Sequence, residues 1–175
     1  RLADIDGDSL VWVADLNIVA ANFNLDGVAP VYKTIVSDES SGEWRLTQRD
    51  QGDATVVEIT ADEMAGARAY GYRLRYDPAM FRLRTARPGT AFGQRSATYA
   101  EQRESGSIAI GAALNGGQVG VTGDQNLGVF VFERMRDSAM ERSIEIHDAQ
   151  WIDATHRVRN PRGQVALPRV FALLP

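Results

Sequence analysis

The chain has 175 residues, 44% hydrophobic and 24% charged, with a formal net charge of −4. That suffices for one domain with a real core plus a short extra segment, and it excludes a basic nucleic-acid binder on bulk electrostatics. There is no cysteine, and the two histidines are His147 and His156; thiolate, disulfide and iron–sulfur chemistry is therefore excluded, and most metallo-hydrolase and triad chemistry lacks its side chains.

Residues 1–24 open on an acidic cluster. Asp4-Ile5-Asp6-Gly7-Asp8-Ser9-Leu10-Val11-Trp12-Val13-Ala14-Asp15 has the spacing of an EF-hand calcium loop, which takes oxygens from loop positions 1, 3, 5, 7 and 12. The expected ligands are the carboxylates of Asp4, Asp6, Asp8 and Asp15 and the carbonyl of Leu10. Carboxylates two residues apart repel one another until a hard dication neutralises them. Ser9 stands at loop position 6, where glycine is usual, and Trp12 at position 9 cannot coordinate, so a water is expected there. Leu16, Val19, Ala20 and Phe23 then recur at helical spacing and make one apolar stripe. Such a helix is too short to be stable alone, so it is expected to lie against the β-rich part of the same chain, with Leu16, Val19 and Phe23 at the contact. The chain lacks an initiator methionine and starts inside this motif, which reads as a piece of a longer protein.

Residues 25–42 read as a connector, punctuated by Asp26-Gly27, Pro30 and a polar run through Gly42. Residues 43–167 are a series of short β-like runs. In Tyr70-Gly71-Tyr72-Arg73-Leu74-Arg75-Tyr76 the even positions are apolar, the period of a half-buried strand, and Asp77-Pro78 stops it. Further runs fall at Trp44–Gln48, Thr55–Thr60, Phe81–Ala86, Ala97–Glu101, Ser107–Ala113, Gly128–Arg136, Ser143–Ile152, Thr155–Arg159 and Gly163–Leu167. Val129-Phe130-Val131-Phe132 is apolar on both faces and predicts a strand covered on both sides. The apolar parity changes between Ile146 and Ala149, which predicts a bulge. Tyr72, Leu74, Phe130, Phe132, Ile144 and Ile146 are the expected core. Arg73, Arg75, Arg82, Arg84 and Arg87 read as a positive stretch along two neighbouring strands. Residues 168–175 form an apolar tail bounded by prolines. No apolar run approaches the ~18 residues of a membrane span. Short strands in this number, with no amphipathic helix between them, predict a mainly β fold: a nine-stranded antiparallel jelly-roll sandwich preceded by a short calcium loop-helix segment.

Ala3–Asn24, with Asp15 at the last ligand position, Leu16 after it and Asn22-Phe23 near its end, resembles one dockerin repeat. Residues 44–167 resemble a cohesin, the jelly-roll module that binds dockerins in bacterial cellulosomes. The patches that carry this are Gln51–Ile59, Tyr72–Phe81 with its Tyr76-Asp77-Pro78, Thr122-Gly123-Asp124 leading into Leu127–Phe132, and Ser143–Ile152 followed by Asn160-Pro161-Arg162-Gly163. The resemblance implies a secreted or surface-attached bacterial protein that holds a dockerin-like EF-hand segment on one sheet face. At the two positions before Tyr-Asp-Pro where cellulosomal cohesins of the first type commonly place polar contact residues, this chain has Ala69 and Gly71. Tight binding to a standard cellulosomal dockerin is therefore not expected.

The reading is a non-catalytic, calcium-binding, cohesin-like interaction module that docks an EF-hand segment in cis or in trans. The alternatives are a calcium-stabilised structural spacer and a carbohydrate-binding module that presents Trp44, Trp151, Tyr70, Tyr72, Tyr76 and Tyr99 to polysaccharide. Catalysis is not expected: Asp62, Glu63 and Asp148 are acids with no assigned pairing.

Overall fold

The computed structural model describes Asp15, Ile18, Val19 and residues 35–94, 96–116, 119–135 and 144–166. The strands are β1 (Ile35–Gln51), β2 (Ala54–Asp62), β3 (Ala69–Tyr76), β4 (Phe81–Pro88), β5 (Ser96–Glu104), β6 (Ser107–Leu114), β7 (Gln125–Arg134), β8 (Ile144–Ile152) and β9 (Arg157–Ala166). They run in the order β4-β7-β2-β1-β9-β8-β3-β6-β5. β8 and β9 share only two paired positions, Trp151 with Arg159 and Ile152 with Val158. The sheet folds at this corner, so that β4-β7-β2-β1-β9 packs over β8-β3-β6-β5. Every pairing is antiparallel except β1 with β9, which is parallel.

Period-two patterning builds the strands as the sequence predicts. β2 alternates half-buried and buried positions along its whole length. Gly52 and Asp53 join β1 to β2 in a two-residue turn, since Gln51 pairs with Ala54. Gly52 has φ +59°, which a glycine adopts without steric cost. At the end of β3 the Asp77 carboxylate accepts the Ala79 N–H at 2.8 Å and its carbonyl accepts from Phe81 at 2.9 Å, so the chain turns where Asp77-Pro78 predicts.

The core lies between the layers. Tyr72, Leu74, Phe130, Phe132, Ile144 and Ile146 are all buried in it, as expected. Trp44 meets Tyr72 edge-on at 5.7 Å, and Phe132 lies 4.9 Å from Tyr76 and 5.9 Å from Phe81. Tyr70 and Tyr72 both donate their hydroxyls to the Leu127 carbonyl, at 3.0 and 3.1 Å. Burial pushes both phenols well above their ordinary pKa, so they stay protonated donors.

The bulge in β8 is present. Gly71 faces Gln150 and Arg73 faces His147, so β8 carries one extra residue, and Asp148 takes φ +50°. Burial switches from Ile144 and Ile146 to Ala149 and Trp151 across it. Four expectations change. β1 begins at Ile35, inside the run 25–42 that reads as connector. The runs read as Thr155–Arg159 and Gly163–Leu167 meet in one strand, β9, from Arg157 to Ala166, which passes Pro161 where the β1 register is irregular. The arginines do not share neighbouring strands: β3 carries Arg73 and Arg75 in one layer, and β4 carries Arg82, Arg84 and Arg87 in the other. Finally, β7 is covered on one face only, with Val129 and Val131 half-exposed, whereas β6 is buried at every position.

Candidate functional site

β6 reads Ser107-Ile108-Ala109-Ile110-Gly111-Ala112-Ala113-Leu114, with no charged residue and only one polar one. Ile108, Ile110 and Ala112 point into the core. The alternate positions Ser107, Ala109, Gly111 and Ala113 therefore lie on the outer face of the β8-β3-β6-β5 layer. Pairing lines them up with neighbours on that face. Ala113 stands beside Ala69 on β3 and Ala97 on β5, and Gly111 stands beside Gly71 and Tyr99. Ala69 in turn stands beside Ile152 on β8, and Ile152 beside Val158 on β9.

Two parts of this face are built differently. Toward the β3 C-terminus it is polar and ion-paired. Arg73 holds Asp148 at 2.9 Å, and His147 contacts Glu145 at 3.1 Å. An open hollow of about 440 Å³ follows, bordered by Arg75, Asp77, Glu104 and Glu145. Toward the β3 N-terminus the face is smooth and apolar. Ala69, Ala113 and Ile152 are 0% exposed and Val158 is 4%, and they form a cluster of their own, separate from the core. Between the two parts the Tyr99 ring lies flat across Gly111; a Cβ on Gly111 would stand 2.2 Å from Tyr99 Cε1. A glycine in a strand interior commonly marks a place where another group approaches the backbone closely.

The corner beside the apolar row is held by Asp153. Its carboxylate accepts from the Thr155 N–H at 2.8 Å, the Thr155 hydroxyl at 2.6 Å, the Arg157 N–H at 3.0 Å and Arg159 Nε at 2.9 Å. Burial pushes this carboxyl up, but the donated hydrogen bonds outweigh it and hold the pKa below the usual range. His156 follows in the same turn, with φ +60°. Burial lowers its pKa first and the nearby Arg68 guanidinium second, which favours the neutral ring.

Of the residues expected to ligate calcium, Asp15 is described; it is helical and 4% exposed. Asp4, Asp6, Asp8 and Leu10 lie outside the described residues. Of the expected contact residues, Val19 is helical and 50% exposed, while Leu16 and Phe23 lie outside the described residues. Ile18, which does not belong to the stripe read from the sequence, is 3% exposed. Among the described residues no group of three or more His, Cys, Asp or Glu side chains is placed to hold a metal ion. Acidic carboxylates with a backbone carbonyl are the donor set a hard cation such as calcium takes, so the residues present fit that ion in kind.

The aromatic strip needed for polysaccharide does not form among the described residues. Trp44, Trp151, Tyr70, Tyr72 and Tyr76 are buried in the core, and Tyr99 is half-buried over Gly111. Asp62 pairs with Arg45 at 2.8 Å and Asp148 with Arg73 at 2.9 Å, in different layers, so these acids are ion-pair partners rather than a facing pair. Among the described residues no helix is long and apolar enough to cross a membrane.

No protein-family model matches the sequence, and no curated protein matches it. The fold does match solved structures. A cohesin module from a Clostridium perfringens family 33 glycoside hydrolase superposes with a TM-score of 0.59 at 13% identity, over 75% of this chain and 100% of that one. The sixth cohesin of Acetivibrio cellulolyticus scaffoldin B, solved in complex with a mutant Cel5 dockerin, gives 0.56 at 12% identity, over 70% and 100%. A non-cellulosomal cohesin from the hyperthermophilic archaeon Archaeoglobus fulgidus gives 0.54 at 15%, over 68% and 84%. This chain has the cohesin fold.

Proposed function

We propose that this chain is a non-catalytic interaction module of the cohesin type, which holds a calcium-loaded, dockerin-like EF-hand segment on the outer face of its β8-β3-β6-β5 layer. The observation that carries the reading is β6. A strand buried at every position in an outer layer is built to be covered. The match to cohesins, one of them solved with a dockerin, supports the same reading. The loop from Asp4 to Asp15 supplies the calcium ligands, and the metal gathers carboxylates that otherwise repel one another. Its binding energy is thereby also the folding energy of the segment. Secretion to the outside of a bacterial cell, or attachment to its surface, belongs to this proposal. Polysaccharide binding does not, because Trp44, Trp151, Tyr70, Tyr72 and Tyr76 are in the core and Tyr99 alone makes no strip.

Calorimetric titration of the full chain with calcium tests the reading. One binding event is expected, and Asp15→Ala should weaken it sharply while the far-ultraviolet β signal stays. An absence of binding heat in the unmodified chain would overturn it.

A further inference from the structure

Ile152 and Val158 point outward from a two-layer sandwich, yet they are 0% and 4% exposed. With Ala69 and Ala113 they form a row across β9, β8, β3 and β6. Four strands about 4.8 Å apart span about 14 Å. Arg68 flanks one side of this row, where its N–H donates to the Ile152 carbonyl and its guanidinium to the Gly116 carbonyl. One side chain does not cover a row of about 14 Å, and the burial of its residues calls for a further covering element.

The topology says which element. β1 starts beside the row: Ile35 pairs with Arg157 and Val36 with Val158. β9 ends at the other end of β1, where Ala166 pairs with Leu46, so its end is far from the row. β7 ends beside Phe81, and β8 begins opposite Tyr76, so both of these strand ends stand at the far end of β3. The chain before Ile35 is thus tethered at the row, where the β4–β5 and β6–β7 connections and the β8–β9 turn also meet the sheet. Before Ile35, burial is one-sided: Asp15 and Ile18, one turn apart, are 4% and 3% exposed, while Val19 is 50% exposed. The chain from Val19 to Ile35 reaches tens of ångströms when extended, at about 3.3 Å per residue, which is ample for this short return.

We infer that the helical segment carrying Asp15, Ile18 and Val19 docks in cis on the row Val158–Ile152–Ala69–Ala113, with Ile18 against the sheet and Val19 outward, so that the module's docking face is occupied by its own chain. The inference rests on the interaction-module reading and deepens it by naming the occupant and the contact residue. Small side chains on β3 and β6 let a helix backbone come close, and Ile18 supplies the apolar bulk the alanines lack. The short tether gives a high effective concentration, so an EF-hand segment from another chain has to displace this one first.

The chain has no cysteine, which makes cross-linking clean. Three variants of the full chain are treated with a short bis-maleimide in calcium: Val19→Cys with Gln150→Cys beside the row, Val19→Cys with Thr47→Cys on the outer face of the other layer, and the first pair with Ile18→Asp added. Val19 and Gln150 are both accessible, so the contact itself is untouched. The first pair should link within the monomer about tenfold faster than the second, and Ile18→Asp should bring it down to the second pair's rate. Equal rates for the two pairs, or no effect of Ile18→Asp, overturns the inference. Linkage between chains instead of within them overturns docking in cis but leaves the interaction module standing, whereas loss of calcium binding strikes that reading itself.

Discussion

The two outer faces of the sandwich are made of different residues. On the β4-β7-β2-β1 face the outward positions include arginines, glutamates and valines. Arg82 and Arg84 both pair with Glu133, Arg84 also reaches Asp53 at 3.3 Å, and Arg45 binds Asp62 at 2.8 Å. Val129, Val131 and Val56 sit half-exposed among those long stems, which cover apolar surface while their charged heads stay in water. On the β8-β3-β6 face the N-terminal half of β3 and the paired end of β6 carry alanine and glycine, with Ile152 and Val158 beside them, and all are buried. A face meant for water is finished with its own long side chains. The second face is left smooth, as the proposed docking of another polypeptide requires.

That contrast can be broken at several points, and the largest effect is expected in the core the two layers share. Phe132→Ala removes a fully buried ring packed on Tyr76 and Phe81 and should cost about 3–5 kcal/mol in urea denaturation. A cost near zero would mean that the layers do not share this core. Next comes the corner that joins the faces. Asp153→Asn removes a charge that accepts hydrogen bonds from Thr155, Arg157 and Arg159 and should cost about 1.5–3 kcal/mol at neutral pH. Because the folded carboxyl has a lowered pKa, its contribution is complete above the unfolded value of about 3.9. It is lost as the pH falls through the lower folded value. On acidification from about pH 5 to about pH 2, the variant should therefore lose less stability than the parent; parallel pH profiles contradict this.

A smaller effect is expected on the docking face. Gly111→Ala puts a methyl group against the Tyr99 ring and should cost about 1–3 kcal/mol. Tyr99→Ala in the same chain should recover part of that loss. The smallest effect belongs to the solvated face. Arg84→Ala breaks contacts to Glu133 and Asp53 that lie in water, and its denaturation midpoint should fall within the scatter of the parent's. Surface ion pairs of this kind contribute little.

The strands were legible because period two is a local property of the chain. Tyr70–Tyr76 fixes its own inner and outer sides, and the β8 bulge announces itself in the shift from Ile146 to Ala149. Layer membership was less legible. β3 and β4 are joined by a tight turn, yet they lie in opposite layers, so arginines close in sequence separate in space. Double coverage was misread for a related reason. Val129-Phe130-Val131-Phe132 is apolar on both sides by composition, but valines tolerate a half-exposed place among arginine stems. Ser107–Leu114 carried the real signal, an unbroken run of small and apolar residues with no charge to face water. At the N-terminus the stripe through Val19 was visible as spacing, whereas the burial of Ile18 and the exposure of Val19 depend on tertiary packing, which helix periodicity alone does not set.

The central claim is that a calcium-loaded helical segment covers the smooth face of the β8-β3-β6 layer. Amide hydrogen exchange at residues 15–19 of the full chain, followed in calcium and again after chelation, tests it most directly. Slow exchange in calcium is expected, rising toward the rate of an unstructured peptide once the metal is removed, while the β2 and β7 amides stay protected throughout. Exchange at residues 15–19 that is fast in calcium, or slow and unchanged by chelation, contradicts it.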